Sequence, residues 1–139
     1  MNIRVAESDR EIAECYEVMH QLREKLTMET FAEKVRAQQN SGYHLVYVHD
    51  GDTVVAVAGF RFLETLVDGH YLYVDDLVTS ATERSKGHGR ALLSWLTERA
   101  QEKHCGSIQL DSGLARKDAH RFYEREGMQN RGLRFQKDV

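Results

Sequence analysis

The segment Arg84-Ser85-Lys86-Gly87-His88-Gly89-Arg90 lies between a predicted strand and a predicted helix and has the makings of an anion site. The first backbone amides of a helix have no intrahelical partner, and the helix dipole favours negative charge beside them. Gly87 and Gly89 let the backbone approach a phosphate closely, while Arg84, Lys86 and Arg90 supply positive charge around it. The segment is not a P-loop, because no Gly-Lys-Ser/Thr follows at the required spacing, and a single Gly-x-Gly does not make a dinucleotide fingerprint. A bare Gly-x-Gly is more often an ordinary helix start with a solvated basic rim. The three basic residues and the preceding Leu77-Val78-Thr79 strand favour the anion site.

Asp75 and Asp76 are the second chemical signal. They interrupt a strand predicted over 70–79 that is otherwise apolar on both faces, with Tyr71, Tyr73 and Leu77 on one side and Leu72, Val74 and Val78 on the other. Two acids there are costly unless they are paired or used. Adjacent strand residues point to opposite faces, so both reach one site only if the strand carries a bulge. The plainer alternative is that one acid pairs with Arg61, Arg116 or a backbone amide. Glu64, His70 and Tyr71 are weaker candidates at the same strand end. His44 and His49 complete no metal ligand set. Cys105 reads as inert packing, because no His–acid pair accompanies it.

The elements that must position these groups follow from periodicity. Residues 2–6 alternate as a first strand. Ser8 and Glu11 have capping-box spacing, and the helix they open carries an apolar stripe from Ile12 through Cys15, Tyr16, Met19 and Leu22 to Leu26. Thr27 caps a second helix with Met28, Phe31 and Val35. Asp50-Gly51-Asp52 joins strands over 43–49 and 53–63. After 70–79, a helix over 87–104 carries Leu92, Trp95, Leu96, Ala100 and Lys103, and is closed by Gly106 at the expected position past its end. A strand over 107–112, a helix over 115–126 with Ala115, Ala119, Phe122 and Tyr123 inward, and a tail with room for one or two strands complete the chain. The predicted order is βααβββαβαβ, an α/β mixed sheet with helices on both faces, in a single domain over 1–139.

Composition sets the limits. The chain has 139 residues, 41% hydrophobic and 29% charged, with a formal net charge of −3. That balance suits one globular domain and argues against broad nucleic-acid binding, even with Arg121, Arg125, Arg131 and Arg134 near its end. No apolar run is long enough to span a membrane, and the first residues lack an apolar signal core, so a cytoplasmic location is expected. Two cysteines make neither a disulfide framework nor a four-ligand zinc site.

Arg84-x-x-Gly87-x-Gly89 and, further on, Ala119-x-x-Phe122-Tyr123-x-x-x-Gly127 together resemble the GNAT superfamily of acyl-CoA-dependent N-acetyltransferases, over essentially the whole chain. The resemblance implies that strands 70–79 and 107–112 run parallel and splay apart, with the pantetheine of acetyl-CoA in the gap. Main-chain groups of Leu77, Val78 and Thr79 would pair with its amides. Arg84, Ser85, Lys86, Gly87, His88, Gly89 and Arg90 would hold the pyrophosphate. Tyr123 would stand near the sulfur. Many relatives have Asn where this chain has Arg116, an amide that could bond pantetheine; Arg116 is expected to reach phosphate or Asp111 instead.

Acetyl transfer from a thioester needs a neutral amine, a carboxylate such as Asp75 or Asp76 to take its proton, and a donor for the departing thiolate. A tyrosine hydroxyl is suited to the last role, so Tyr123 is the expected acid. The expected function is transfer to the primary amine of a small cationic metabolite, by direct attack in a ternary complex, without a metal. A peptide or protein amine, or a non-catalytic acyl-CoA sensor, are the alternatives. No nucleic-acid or membrane partner is expected, and a homodimer is left open.

Overall fold

The computed structural model describes residues 2–139, which gather into two compact units, one ending at Gln109 and the other running over 110–139. The sheet runs in the order β1 (Asn2–Val5), β2 (His44–Asp50), β3 (Thr53–Thr65), β4 (Gly69–Thr79), β5 (Ser107–Leu110). The first four strands form an antiparallel meander, and β5 lies parallel to β4. A bond from the Gly106 amide to the His70 carbonyl, 2.9 Å, joins these two where they begin.

The predicted first helix is present but broken at Cys15 into α1 (Asp9–Glu14) and α2 (Tyr16–Leu22). Its capping box forms in full: the Glu11 amide donates to Ser8 Oγ at 3.1 Å, and the Ser8 amide donates to Glu11 Oε1 at 2.9 Å. The Ser8 and Glu7 amides, both donating to Glu11 Oε1, hold its carboxyl down at a pKa of about 2. Helix α3 (Met28–Gln39) follows Thr27, whose hydroxyl bonds Thr30 Oγ1 rather than a helix amide.

Ile12, Cys15, Met19, Phe31 and Val35 bury one face of the sheet, against Tyr43, Leu45, Tyr47, Val57 and Val78. Helix α4 (His88–Glu102) covers the opposite face with Leu92, Leu93, Leu96 and Ala100, and Trp95 meets Phe60 there edge-on at 5.9 Å. Lys103 lies past the end of α4 and off its apolar stripe.

Helix α4 ends two residues earlier than the sequence suggests. His104, not Gly106, takes the left-handed conformation, with φ +59°. The Cys105 amide then reaches back to the Ala100 carbonyl at 2.9 Å and the His104 amide to Gln101 at 3.1 Å, the pattern of a Schellman closure.

In the second unit α5 (Lys117–Arg125) is shorter than predicted, and Ala115 is exposed ahead of it. The tail from Met128 carries no strand, so the final β of the predicted order is absent. Leu133 and Phe135 are largely exposed, and a strand forms only where a neighbour takes its amides and carbonyls.

Candidate functional site

The β3–β4 ladder slips by one residue at Gly59. Gly59 pairs with Asp76 and Phe60 with Val74, so Asp75 is the extra residue of a bulge. The bulge turns both acids toward the α1–α3 face, against the alternation expected of a regular strand. It also moves Val78, which faces that side with Val57 and not the α4 side with Leu72 and Val74.

Each acid has its own partners. Arg61 grips Asp75 with two parallel bonds, Nη2 to Oδ1 at 2.7 Å and Nε to Oδ2 at 2.9 Å, and lies over the Tyr73 ring. The plain alternative weighed for this acid, a pair with Arg61, is therefore what forms. Asp76 receives Arg23 Nε on Oδ1 at 2.9 Å and the Tyr43 hydroxyl on Oδ2 at 2.7 Å. Arg23 Nη2 also donates to the Asp75 carbonyl at 2.7 Å.

Tyr43 reaches Asp76 by lying across Gly59. A Cβ at that position would stand 1.8 Å from the Tyr43 oxygen, so only glycine admits the ring. Burial, reinforced by the Asp76 charge, pushes the Tyr43 phenol well above its ordinary pKa, and it remains a donor. Asp75, Asp76, Arg23 and Tyr43 border a cleft of about 590 Å³, whose apolar wall includes Leu22, Leu26, Phe31 and Val35.

Arg23, Tyr43 and Gly59 escape sequence reasoning. Their separations from Asp76, 53 and 33 residues for the two side chains, follow no local period. Gly59 alone left a trace, because an isolated glycine within a strand marks a bulge or a close approach.

The turn before α4 is made of backbone. Ser85 and Gly87 both have positive φ, +66° and +85°, within an otherwise extended approach from Arg84. Successive turns of this kind gather amides into an anion-binding concavity. The first helical bond, from the Ala91 amide to the Gly87 carbonyl at 3.0 Å, leaves the His88 and Gly89 amides ahead of the ladder. Lys86 pairs with Glu83, and Arg84 is exposed. His88 Nδ1 is enclosed here and has no protein partner. These amide donors suit the phosphates of an acyl-CoA, and the orphaned His88 ring nitrogen is a polar group left for a ligand to meet.

In the second unit Tyr123 is half-buried on α5. Burial lifts its phenol above the ordinary value more than a bond from Arg116 lowers it. Arg116 thus reaches the Tyr123 hydroxyl. The Tyr123 carbonyl accepts the Met128 amide at 3.0 Å and Gly127 has φ +89°, so the tyrosine and the glycine four residues on belong to one helix closure.

The weaker candidates have partners of their own. Glu64 and His70 form an exposed cross-strand pair at 3.3 Å. Burial raises the Cys105 thiol, which disfavours the thiolate a nucleophile needs. Among the described residues no group of three or more His, Cys, Asp or Glu could hold a metal, and no helix is long and apolar enough to cross a membrane.

The profile of the Acetyltransferase (GNAT) family matches residues 8–128. The chain belongs to the GNAT family. It is 38% identical over 117 residues to the uncharacterized N-acetyltransferase YhdJ of Bacillus subtilis (strain 168), covering 84% of this chain and 82% of that one. It is 36% identical over 64 residues to the aminoalkylphosphonate N-acetyltransferase of Salmonella typhimurium, covering 46% and 42% of the two chains. In fold it is similar to an acetyltransferase of Trypanosoma brucei, with a TM-score of 0.81, 21% identity and coverage of 99% of both chains. This GNAT protein is therefore an acyl-CoA-dependent N-acetyltransferase.

Proposed function

We propose that the chain transfers the acetyl group of acetyl-CoA to the primary amine of a small metabolite that is cationic in solution, by direct attack in a ternary complex. The observation that carries this reading is the bulge, which turns Asp75 and Asp76 to one face beside a cleft able to admit a small amine. The named activity of the Salmonella relative, on an aminoalkylphosphonate, supports a small amine as acceptor. The whole of 1–139 is read as one acetyltransferase domain, since the family match runs through both units. Two cysteines without a disulfide suit a reducing cytoplasm.

Acetyl-CoA, when bound, supplies an activated acyl group on sulfur. Amides of Ser85 to Arg90, with Arg84 and Lys86, would hold its phosphates, and main-chain groups of Leu77, Val78 and Thr79 its pantetheine. Asp76, fixed by Tyr43 and Arg23, orients the ammonium and takes its proton directly or through water. Asp75, neutralised by Arg61, supports that charge arrangement. A second proton leaves nitrogen as the amide C–N bond forms and the thioester C–S bond breaks. The second nitrogen proton passes to water, Tyr123 gives its own proton to sulfur and is reprotonated from solvent, and Asp76 sheds the first, so one proton is released net per turnover. Its raised pKa keeps the Tyr123 hydroxyl protonated through neutral pH, and the Arg116 bond stabilises its oxygen after the proton leaves.

CoA release across polyamines, aminoglycosides, amino-acid amides and lysine peptides tests the reading. Turnover with a small amine is expected, falling about 10²–10⁴-fold in Tyr123→Phe, the range for loss of a positioned acid. Unchanged turnover in both Tyr123→Phe and Asp76→Asn would sink the roles assigned to them.

A further inference from the structure

We infer that the acceptor is cationic at its amine alone and carries an acidic group elsewhere, narrowing the proposed cationic metabolite to a zwitterion, and that Arg23 recognises that acidic group. The inference rests on the cleft beside Asp76 being the acceptor site.

The charges of the cleft carry it. Asp75 is already matched by Arg61, and Asp76 by Arg23. Lys25 and Lys34 also line the cleft, and Glu24 is the one further acid there. A polycation would enter between two lysines toward carboxylates that already have arginine partners. A zwitterion meets both signs.

Arg23 is built to meet the negative end. Its Nε holds Asp76 and its Nη2 holds the Asp75 carbonyl, while Nη1 has no partner among the described residues. The side chain is 48% exposed, so its remaining donors are open to a ligand. A guanidinium clamped along one edge has already lost its rotamer freedom, and its planar fork fits a carboxylate or a phosphonate. The same residue would thus touch the acceptor's acid while holding Asp76 for the acceptor's amine. Leu22, Leu26, Phe31 and Val35 suit a short hydrocarbon body between the two ends.

The test compares matched amines: an aminoalkyl carboxylate, the corresponding phosphonate, the methyl ester of the carboxylate, the unsubstituted alkylamine and a diamine of equal length. Each is assayed by CoA release with the full chain, with Arg23→Gln and with Arg23→Lys. A charge-assisted bond predicts a preference for the acids over the ester of about 10–100-fold in kcat/KM, expressed mainly in KM. Arg23→Gln should bring that ratio near one, and Arg23→Lys should restore part of it. The carboxylate and phosphonate arms show which acid is read. Loss of Asp76 positioning alone would slow every amine in proportion and leave the ratio intact. Equal use of acid and ester by the unaltered chain, or a preference that survives Arg23→Gln, overturns the inference while the acetyltransferase reading stands. No turnover of any amine, here or in the wider panel, overturns both.

Discussion

The turn before α4 and the cleft beside the β4 bulge both have the makings of a binding site, but from opposite materials. In the turn the working groups are backbone amides, and side chains matter chiefly for permitting the conformation, as Gly87 does at φ +85°. In the cleft the working groups are side chains, each held by another: Asp76 by Tyr43 and Arg23, Asp75 by Arg61, Tyr43 by the space over Gly59. A backbone site tolerates most exchanges outside its glycines. A side-chain network fails at any member, because truncating one partner leaves another polar group unsatisfied.

The largest effect that would expose this difference is expected from Gly59→Ala. The added methyl must displace Tyr43 from Asp76, combining loss of that bond with overpacking of about 1–3 kcal/mol. Both melting temperature and turnover should fall. A variant as stable and active as the parent would mean that Tyr43 does not hold Asp76. Tyr43→Phe should fall next, since it keeps the ring and removes one hydrogen bond to a charged group, worth about 1.5–3 kcal/mol when buried. Its kcat should drop while the KM for acyl-CoA holds.

Gly87→Ala should act in the opposite kinetic sense. A left-handed alanine costs roughly 1–2 kcal/mol, and the distorted turn should raise the KM for acyl-CoA more than it lowers kcat. Reversed patterns in these two variants would refute the division between a backbone donor site and a side-chain acceptor site.

The smallest effect lies away from both regions. Glu11→Gln removes a carboxylate from the start of α1, where such a charge is worth about 0.3–1 kcal/mol. The Glu11 pKa is about 2 in the folded chain against an ordinary 4.5, so its stabilisation is complete above about pH 4.5 and lost as pH falls toward 2. Melting curves of parent and variant should therefore differ at pH 7 and converge near pH 2.

The same contrast explains what could be read from the sequence. Backbone sites leave local marks: Gly87 and Gly89 announced the turn before α4. The element order as far as α5, the Asp50-Gly51-Asp52 hairpin and the Ser8–Glu11 cap were legible for the same reason. The paired acids raised the prospect of a bulge, but its register depends on a partner strand. Arg23 and Tyr43 meet Asp76 only through tertiary folding, so no period or spacing pointed to them. His104 in place of Gly106 shows the limit of propensity: the Cys105 and His104 bonds to Ala100 and Gln101 decide which residue turns left-handed.

The bulge at Asp75 makes residue count a functional variable. The ladder runs in register on both sides of it, from Ala56–Thr79 to Gly59–Asp76 and from Phe60–Val74 to Thr65–Gly69. A chain shorter by Asp75 alone could close these two stretches into one uninterrupted hairpin. It would be the more regular protein, with Arg61 stripped of its counter-ion and one acid fewer at the cleft. The loop connecting β3 and β4 could vary in length without this consequence, so a one-residue deletion at Asp75 separates what the fold needs from what the proposed chemistry needs.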